Sequence, residues 1–519
     1  MKRSLRVTGI IVVLALVMSV LASPTLAAPL SAHSPIRVAV YTSTGANSDK
    51  ILATFRAVQS AGFSFVGVGR GDLYAGRLTT ANYDVFVLPA GEADNKTAYA
   101  STDGLGSSTY KTAIQNFVNS GGGFVGIEGG AQYATNCSGC LSLYSGSYTR
   151  NGSAGKINII ITDPGFGSGT QQVYRTAGGG YFSLPSGATQ VAKNSSNQNV
   201  IVRKSYGSGR VVLSSVDLEL RGDSELDWTE WDNWAMSSSH TNSIGVWNLL
   251  GHMINFAATG TATEPTITET ANPTGSRVAI VATHTTDGGA WAGLIPAVAR
   301  AVEYSGHIPL AIRFNEINGG KLTLSNFKVV ILPGGYSYGY KLGLGTTGGT
   351  NIKNFATSGG GVMGICAGSF YLSKTIVWEG TSYTYLDLFK GTDTGPLNGL
   401  GYPSYTLTTV NVNDSVIGNL GNQQQFYYGG GYKTNLSASS ATMVASYTVS
   451  GYNGYADAIR FMYGSGHVLL VGTHPEARSG SENDWLAWDN YQENSNTPLT
   501  NPDNPWTFFN AVLDNWLTQ

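Results

Sequence analysis

Cys366 lies in Gly364-Ile365-Cys366-Ala367-Gly368, and about one domain's worth of chain later comes Gly472-Thr473-His474-Pro475-Glu476. The apolar run before the cysteine reads as a strand, and the residues after it as a helix. Small neighbours on both sides let the backbone turn sharply there, raising the sulfur above a sheet at a helix N-terminus, where the helix dipole favours thiolate. His474 follows the apolar run 467–471, again at the carboxyl end of a strand, and Glu476 stands two residues on. Thiol, imidazole and carboxylate are the nucleophile, the base and the group that orients the base. A lone cysteine is usually a buried small hydrophobe and His-Pro-Glu an ordinary turn; it is their conjunction in one domain that signals a triad.

Pro333-Gly334-Gly335 ends another apolar run. Glycine there allows close approach of backbone amides, so Gly335 N–H and Ala367 N–H could form an oxyanion hole; the bland alternative is a strand-ending turn. Tyr336, Tyr338, Tyr427, Tyr428 and the Gly429-Gly430-Gly431 run are candidates for lining a cleft, with Tyr336, Tyr428, Gly429 and Gly430 taken as substrate-binding.

Short Val/Ile/Leu runs alternate with helical spacing over 50–61, 110–119 and 294–305. That alternation predicts parallel strands joined by helices, hence an open α/β sheet with ligands at the carboxyl ends of its strands. The layout occurs twice. Arg37-Val38-Ala39-Val40 matches Arg277-Val278-Ala279-Ile280, Gly121-Gly122-Gly123-Phe124-Val125-Gly126-Ile127-Glu128 matches the stretch ending at Cys366, and Gly178-Gly179-Gly180-Tyr181 resembles Gly429-Gly430-Gly431-Tyr432. Near the end of each copy, Glu219 and the Trp228 and Trp231 pair match Glu476 and the Trp485 and Trp488 pair, which suits a structural role for these tryptophans. The ordered series predicts a tandem duplication, 35–257 and 276–519, joined by a Thr/Pro/Gly-rich linker at 258–275.

In the first copy the cysteine position is Glu128, the histidine position Asp217 and the glutamate position Glu219. Clustered carboxylates can bind Ca²⁺ or do acid–base work. The favoured expectation is a degenerate site that now serves packing, domain association or carbohydrate-type binding.

With 519 residues and 42% apolar content the chain can build two cores. Charged residues are only 12%, about half the usual share of roughly 25%, and the net charge of −2 gives no strong field. No Lys/Arg cluster interleaves with aromatics, so no nucleic-acid partner is expected. Lys2 and Arg3 precede an apolar run at 7–22, followed by small residues, which predicts a signal peptide over 1–28 and a secreted or cell-surface protein. That run is short for a membrane span of about 20 residues, so no membrane attachment is expected after cleavage. Cys137 and Cys140 could close a small disulfide loop, hold half a metal site or act as a redox pair; the first fits an oxidising compartment, and no metal or cofactor is expected. If they pair, Cys366 is the odd thiol.

Together the Pro-Gly-Gly turn, the Gly-Ile-Cys-Ala-Gly elbow, the Tyr427-Tyr428-Gly429-Gly430-Gly431 segment and Gly-Thr-His-Pro-Glu resemble the class I glutamine amidotransferase-like superfamily. Within it they look like the domain at the N-terminus of eukaryotic biotin-protein ligases. The resemblance covers 276–519 well and 35–257 in degraded form. It implies an α/β architecture of two tandem flavodoxin-like domains with mostly parallel sheets, and the roles of nucleophile for Cys366, base for His474 and orienter for Glu476. Glutamine-hydrolysing members usually carry glutamine where this chain has Phe370, and the peptidase-like branch has histidine where it has Ala367. No stretch resembles a synthetase or a biotin-ligase catalytic domain. The expectation is an exported amidotransferase-like hydrolase acting on a small-molecule or peptide amide; the alternative is a secreted binding protein that keeps the cleft without turnover.

Overall fold

A computed structural model describes residues 35–91, 96–102, 104–151, 153–220, 243–263, 275–282, 284–285, 288–291, 293–400, 402, 406–478 and 504–519. The signal segment, most of the linker, and Trp228, Trp231, Trp485 and Trp488 lie outside these residues.

Each half is built on a sheet whose parallel part has the same order. In the first, Ser64–Val68, Arg37–Tyr41, Val85–Leu88, Gly123–Ile127 and Gly209–Ser214 lie side by side. In the second, the order is Ile308–Ile312, Arg277–Val281, Val329–Leu332, Gly361–Ile365 and Gly466–Val471. By chain position both are 2-1-3-4-5, the flavodoxin-like order. These strands read as unbroken apolar runs because helices cover both faces, so nearly every side chain is buried. The helices expected from spacing are present as Ser48–Ser60, Ser108–Asn119 and Leu294–Tyr304. Asn47 and Ser107 cap the first two by accepting from the Lys50 and Thr109 amides.

Beyond the fifth strand each sheet continues antiparallel, an extension that the pattern of alternating strands and helices did not announce. In the second half, Gly466–Val471 pairs with Ala456–Tyr463, which touches Tyr432–Thr434, and that strand pairs with Phe389–Gly395. The first half repeats the arrangement with Asn199–Tyr206, Gly180–Phe182 and Tyr148–Arg150. The two halves share one continuous apolar core cluster, and the helix Ser48–Ser60 packs on Leu294–Tyr304. Across that contact the buried Arg56 guanidinium meets Glu303 at 3.0 Å, and Arg313 Nη2 donates to Asn47 Oδ1 at 3.1 Å. Among the described residues no helix is long and apolar enough to cross a membrane.

Candidate active site

Cys366 stands between the strand Gly361–Ile365 and the helix Ala367–Leu372, with φ 48° and ψ −106°. A non-glycine residue at positive φ is held there only by its surroundings. Two contacts do the holding: Cys366 N–H donates to Val471 O at 2.8 Å, and Phe370 N–H donates to Cys366 O at 3.1 Å. The helix can start so close because Gly368 has no Cβ; one there would meet Leu332 O at 2.1 Å.

His474 leaves the neighbouring strand Gly466–Val471, pinned by its N–H donating to Phe426 O at 2.9 Å. Its ring Nδ1 pairs with Glu476 Oε1 at 2.9 Å, and both side chains are fully buried. Burial opposes the imidazolium, but the Glu476 carboxylate and then Cys366, through charge and a side-chain hydrogen bond, outweigh it and raise His474 from 6.5 to about 10. The ring is boxed by Gly334, where a Cβ would lie 2.5 Å from His474 Cε1. Glu476 is anchored by Trp506, whose Nε1 donates to its carbonyl at 2.8 Å. The structure thus brings Cys366, His474 and Glu476 together.

The Cys366 thiol donates to Tyr428 O at 3.5 Å, which places the Tyr428-Gly429-Gly430 turn directly at the sulfur. Gly430 packs on Gly472, and Gly429 lies under Tyr402 and Trp378. Gly335, at φ 156°, pairs with Ala290 in a short ladder, while Trp291 N–H donates to Gly334 O at 2.9 Å. Ala367 contributes one of the first-turn amides that have no acceptor within their own helix. Tyr336 and Tyr338 are exposed beside this turn. Tyr427 is different: it is fully buried, donating to Gly430 O at 2.9 Å and accepting from Leu397 N–H at 2.6 Å, so it shapes the turn from below and does not line a cleft.

Sequence reasoning missed the aromatic band around the thiol. Trp291 and Tyr402 meet Tyr428 at ring distances of 5.0 and 5.4 Å, and Trp378 meets Tyr402 at 5.2 Å. Burial, then Glu379 and Cys366, push the Tyr402 phenol up. These residues lie on separate loops and strands, and no local spacing links them.

In the first half Glu128 occupies the same elbow, at φ 45° and ψ −104°, with its N–H donating to Ser214 O at 2.7 Å. Asp217 takes the histidine's place, its N–H donating to Tyr174 O at 3.1 Å, and the Glu219 carbonyl accepts from Trp247 Nε1 at 2.9 Å as Glu476 does from Trp506. All three carboxylates are fully buried. Burial, followed by the charges of Glu128 and Asp217, raises the Tyr148 phenol, whose hydroxyl donates to Gly178 O at 2.9 Å. Asp217 is met by buried Lys50 at 2.9 Å and by the Thr176 amide at 3.0 Å. Lys50 was not foreseen because it opens a helix far upstream. Among the described residues no three His, Cys, Asp or Glu side chains are grouped to hold a metal.

The 2-1-3-4-5 strand order, with a sharp elbow between the fourth strand and its helix, defines a flavodoxin-like α/β fold. Residues 324–515, which include Pro333, Cys366, His474 and Glu476, match the family described as "Biotin-protein ligase, N terminal". A biotin–protein ligase of Schizosaccharomyces pombe is 25% identical over 163 residues, 28% of this chain and 25% of that protein, so the chain spans about a quarter of the length of this curated relative. Among solved structures, a glutamine amidotransferase from Thermotoga maritima is 16% identical over 44% of this chain and 99% of its own, with a TM-score of 0.33. PurLQS from Thermotoga maritima is 18% identical over 46% and 97%, with a TM-score of 0.31. The resemblance to the biotin-protein ligase N-terminal domain read from the motifs is borne out over residues 324–515.

Proposed function

We propose that the second half is an amidotransferase-like thiol hydrolase, with Cys366 as nucleophile, His474 as base and Glu476 as its orienter. The observation that carries this is the fully buried His474–Glu476 pair at 2.9 Å, on the strand next to the one that ends in Cys366 on a strained elbow. Thiolate attack on an amide carbonyl gives a tetrahedral oxyanion, received by the Gly335 and Ala367 amides. His474 then protonates the departing amine, leaving a Cys366 thioester, and a water deprotonated by His474 releases the acid and restores the thiol. Tyr336, Tyr428, Gly429 and Gly430 would shape the substrate cleft. With Phe370 packed on Trp378 at the position that usually holds glutamine, a small-molecule or peptide amide other than free glutamine is the favoured substrate class. Export is part of the proposal, supported by the Lys2-Arg3 and 7–22 pattern and by the Cys137–Cys140 disulfide.

The test uses p-nitrophenyl acetate as an activated acyl donor. The expected result is a burst of nitrophenol equal to enzyme, an acetyl adduct on Cys366, and loss of both in Cys366→Ala. A second reading, a secreted binding protein, is favoured by the first half, where the same backbone holds Glu128 on the elbow and Asp217 against Lys50. Its expected result is no burst and no adduct.

A further inference from the structure

Beneath the site runs a chain of buried polar groups that the triad itself does not use. Ser369, one helical turn past Cys366, donates from Oγ to Asp393 Oδ2 at 2.6 Å. Asp393 pairs in the sheet with Lys433, whose Nζ lies 3.7 Å from Asp393 Oδ2 and donates to Asp457 O at 2.9 Å and Gly431 O at 3.3 Å. Asp457 closes the chain at the other catalytic strand. Its Oδ1 accepts from the Gly472 and Thr473 amides at 3.2 and 2.9 Å, and its Oδ2 lies 2.9 Å from Thr473 Oγ, which also meets Gln425 Oε1. Thr473 immediately precedes His474. All five residues are buried; burial raises both carboxyls, and Lys433 offsets only part of that rise.

Burying two carboxyls and an ammonium is costly unless each contact is made, and apolar side chains could fill the space at least as stably. The chain itself supplies that apolar version. The elbow bonds and strand pairings equate Ser369 with Ala131, Lys433 with Phe182, Asp457 with Val200 and Thr473 with Val216. Tyr148 pairs with Phe182 as Asp393 pairs with Lys433. The same fold therefore packs at these positions without the polar chain, in the half where Glu128 and Asp217 replace cysteine and histidine. The network accompanies the chemistry, not the architecture.

Resting on the triad reading, we infer that Ser369, Asp393, Lys433, Asp457 and Thr473 are positioning residues that lock the Cys366 elbow and the His474 strand in register. The carboxyl and ammonium groups add a side-chain tie between two elements that also meet through the ladder of Gly361–Ile365 with Gly466–Val471. Thr473 and Ser369 are the two ends, one bond from His474 and three residues from Cys366.

The test copies the first half's side chains into the second. Thr473→Val and Ser369→Ala each remove one hydroxyl at nearly constant shape, and Thr473→Ser restores it. Iodoacetamide labelling of Cys366 at pH 7 is expected to slow about ten- to a hundredfold in Thr473→Val, since small misplacements of reacting groups cost on that order. Thr473→Ser is expected to return close to wild type, and the His474 ring, followed by NMR, is expected to titrate nearer its free value of about 6.5 in the valine variant. Near-UV circular dichroism reports whether each variant is folded; if Thr473→Val is not, Ser369→Ala decides, with the same slowing expected. Wild-type labelling rates and an unchanged His474 titration in folded variants would overturn this inference while leaving the triad intact. Slow labelling of the wild type that does not change in His474→Ala would remove the triad and this inference together.

Discussion

At the scale of single residues the chemistry turns on which charges His474 can see. Its ring is buried, so an uncompensated imidazolium would be expelled; Glu476 at 2.9 Å and Cys366 reverse that preference. Since the folded-state value, about 10, lies above the free value of 6.5, the stabilisation is fully present below pH 6.5 and is lost as pH rises through about 10. Thermal melting of the wild type is therefore expected to fall between pH 6.5 and 10 by more than that of Glu476→Gln, which lacks the carboxylate. Equal pH slopes would show that Glu476 does not hold the imidazolium. In turnover, Glu476→Gln is expected to lose about a hundredfold to ten-thousandfold, the range associated with losing a base and its orienter.

Elements set where those residues meet. Each group of the proposed triad follows the carboxyl end of a parallel strand, and the strands Val329–Leu332, Gly361–Ile365 and Gly466–Val471 are immediate neighbours. Gly334, just past the first of these, faces the ring of His474 with no room for a methyl group. Gly334→Ala is expected to push the imidazole off Glu476, lowering thiol hydrolase turnover at least tenfold while costing only about 1–3 kcal/mol in urea unfolding, the usual penalty for overpacking. Turnover at the wild-type level would mean that the ring is not confined there. Much of this was legible beforehand: unbroken apolar runs ending in glycine announced the parallel strands, and Cys366, His474 and Glu476 stood at the ends of two of them. The antiparallel extension was not legible, because its strands, such as Tyr432–Thr434, are short and mix polar with apolar residues. Lys433 and Asp457 lie on strands of this extension, and no spacing in the sequence signals that both are buried. Tyr427 looked like a cleft residue only because it neighbours Tyr428; alternate residues of a strand face opposite ways, and its hydroxyl is spent on Gly430 and Leu397.

Across the whole molecule, one chain carries the same parallel order and the same elbow geometry twice, with Cys366 on the elbow of one copy and the buried Glu128 on that of the other. Repeated landmarks in the sequence foretold this correspondence, but not that the halves share an apolar core and a buried Arg56–Glu303 ion pair. Contacts of that kind join residues far apart in the chain and leave no local pattern. The disulfide between Cys137 and Cys140 has a practical consequence, since it leaves Cys366 as the free thiol of the chain. Alkylation of the intact protein thus reads the candidate nucleophile directly. The decisive measurement is the rate of iodoacetamide labelling at pH 7 in the wild type and in His474→Ala. A wild-type rate at least about tenfold above that of the variant is expected if the imidazole activates the thiol; a slow rate that is the same in both would contradict the triad.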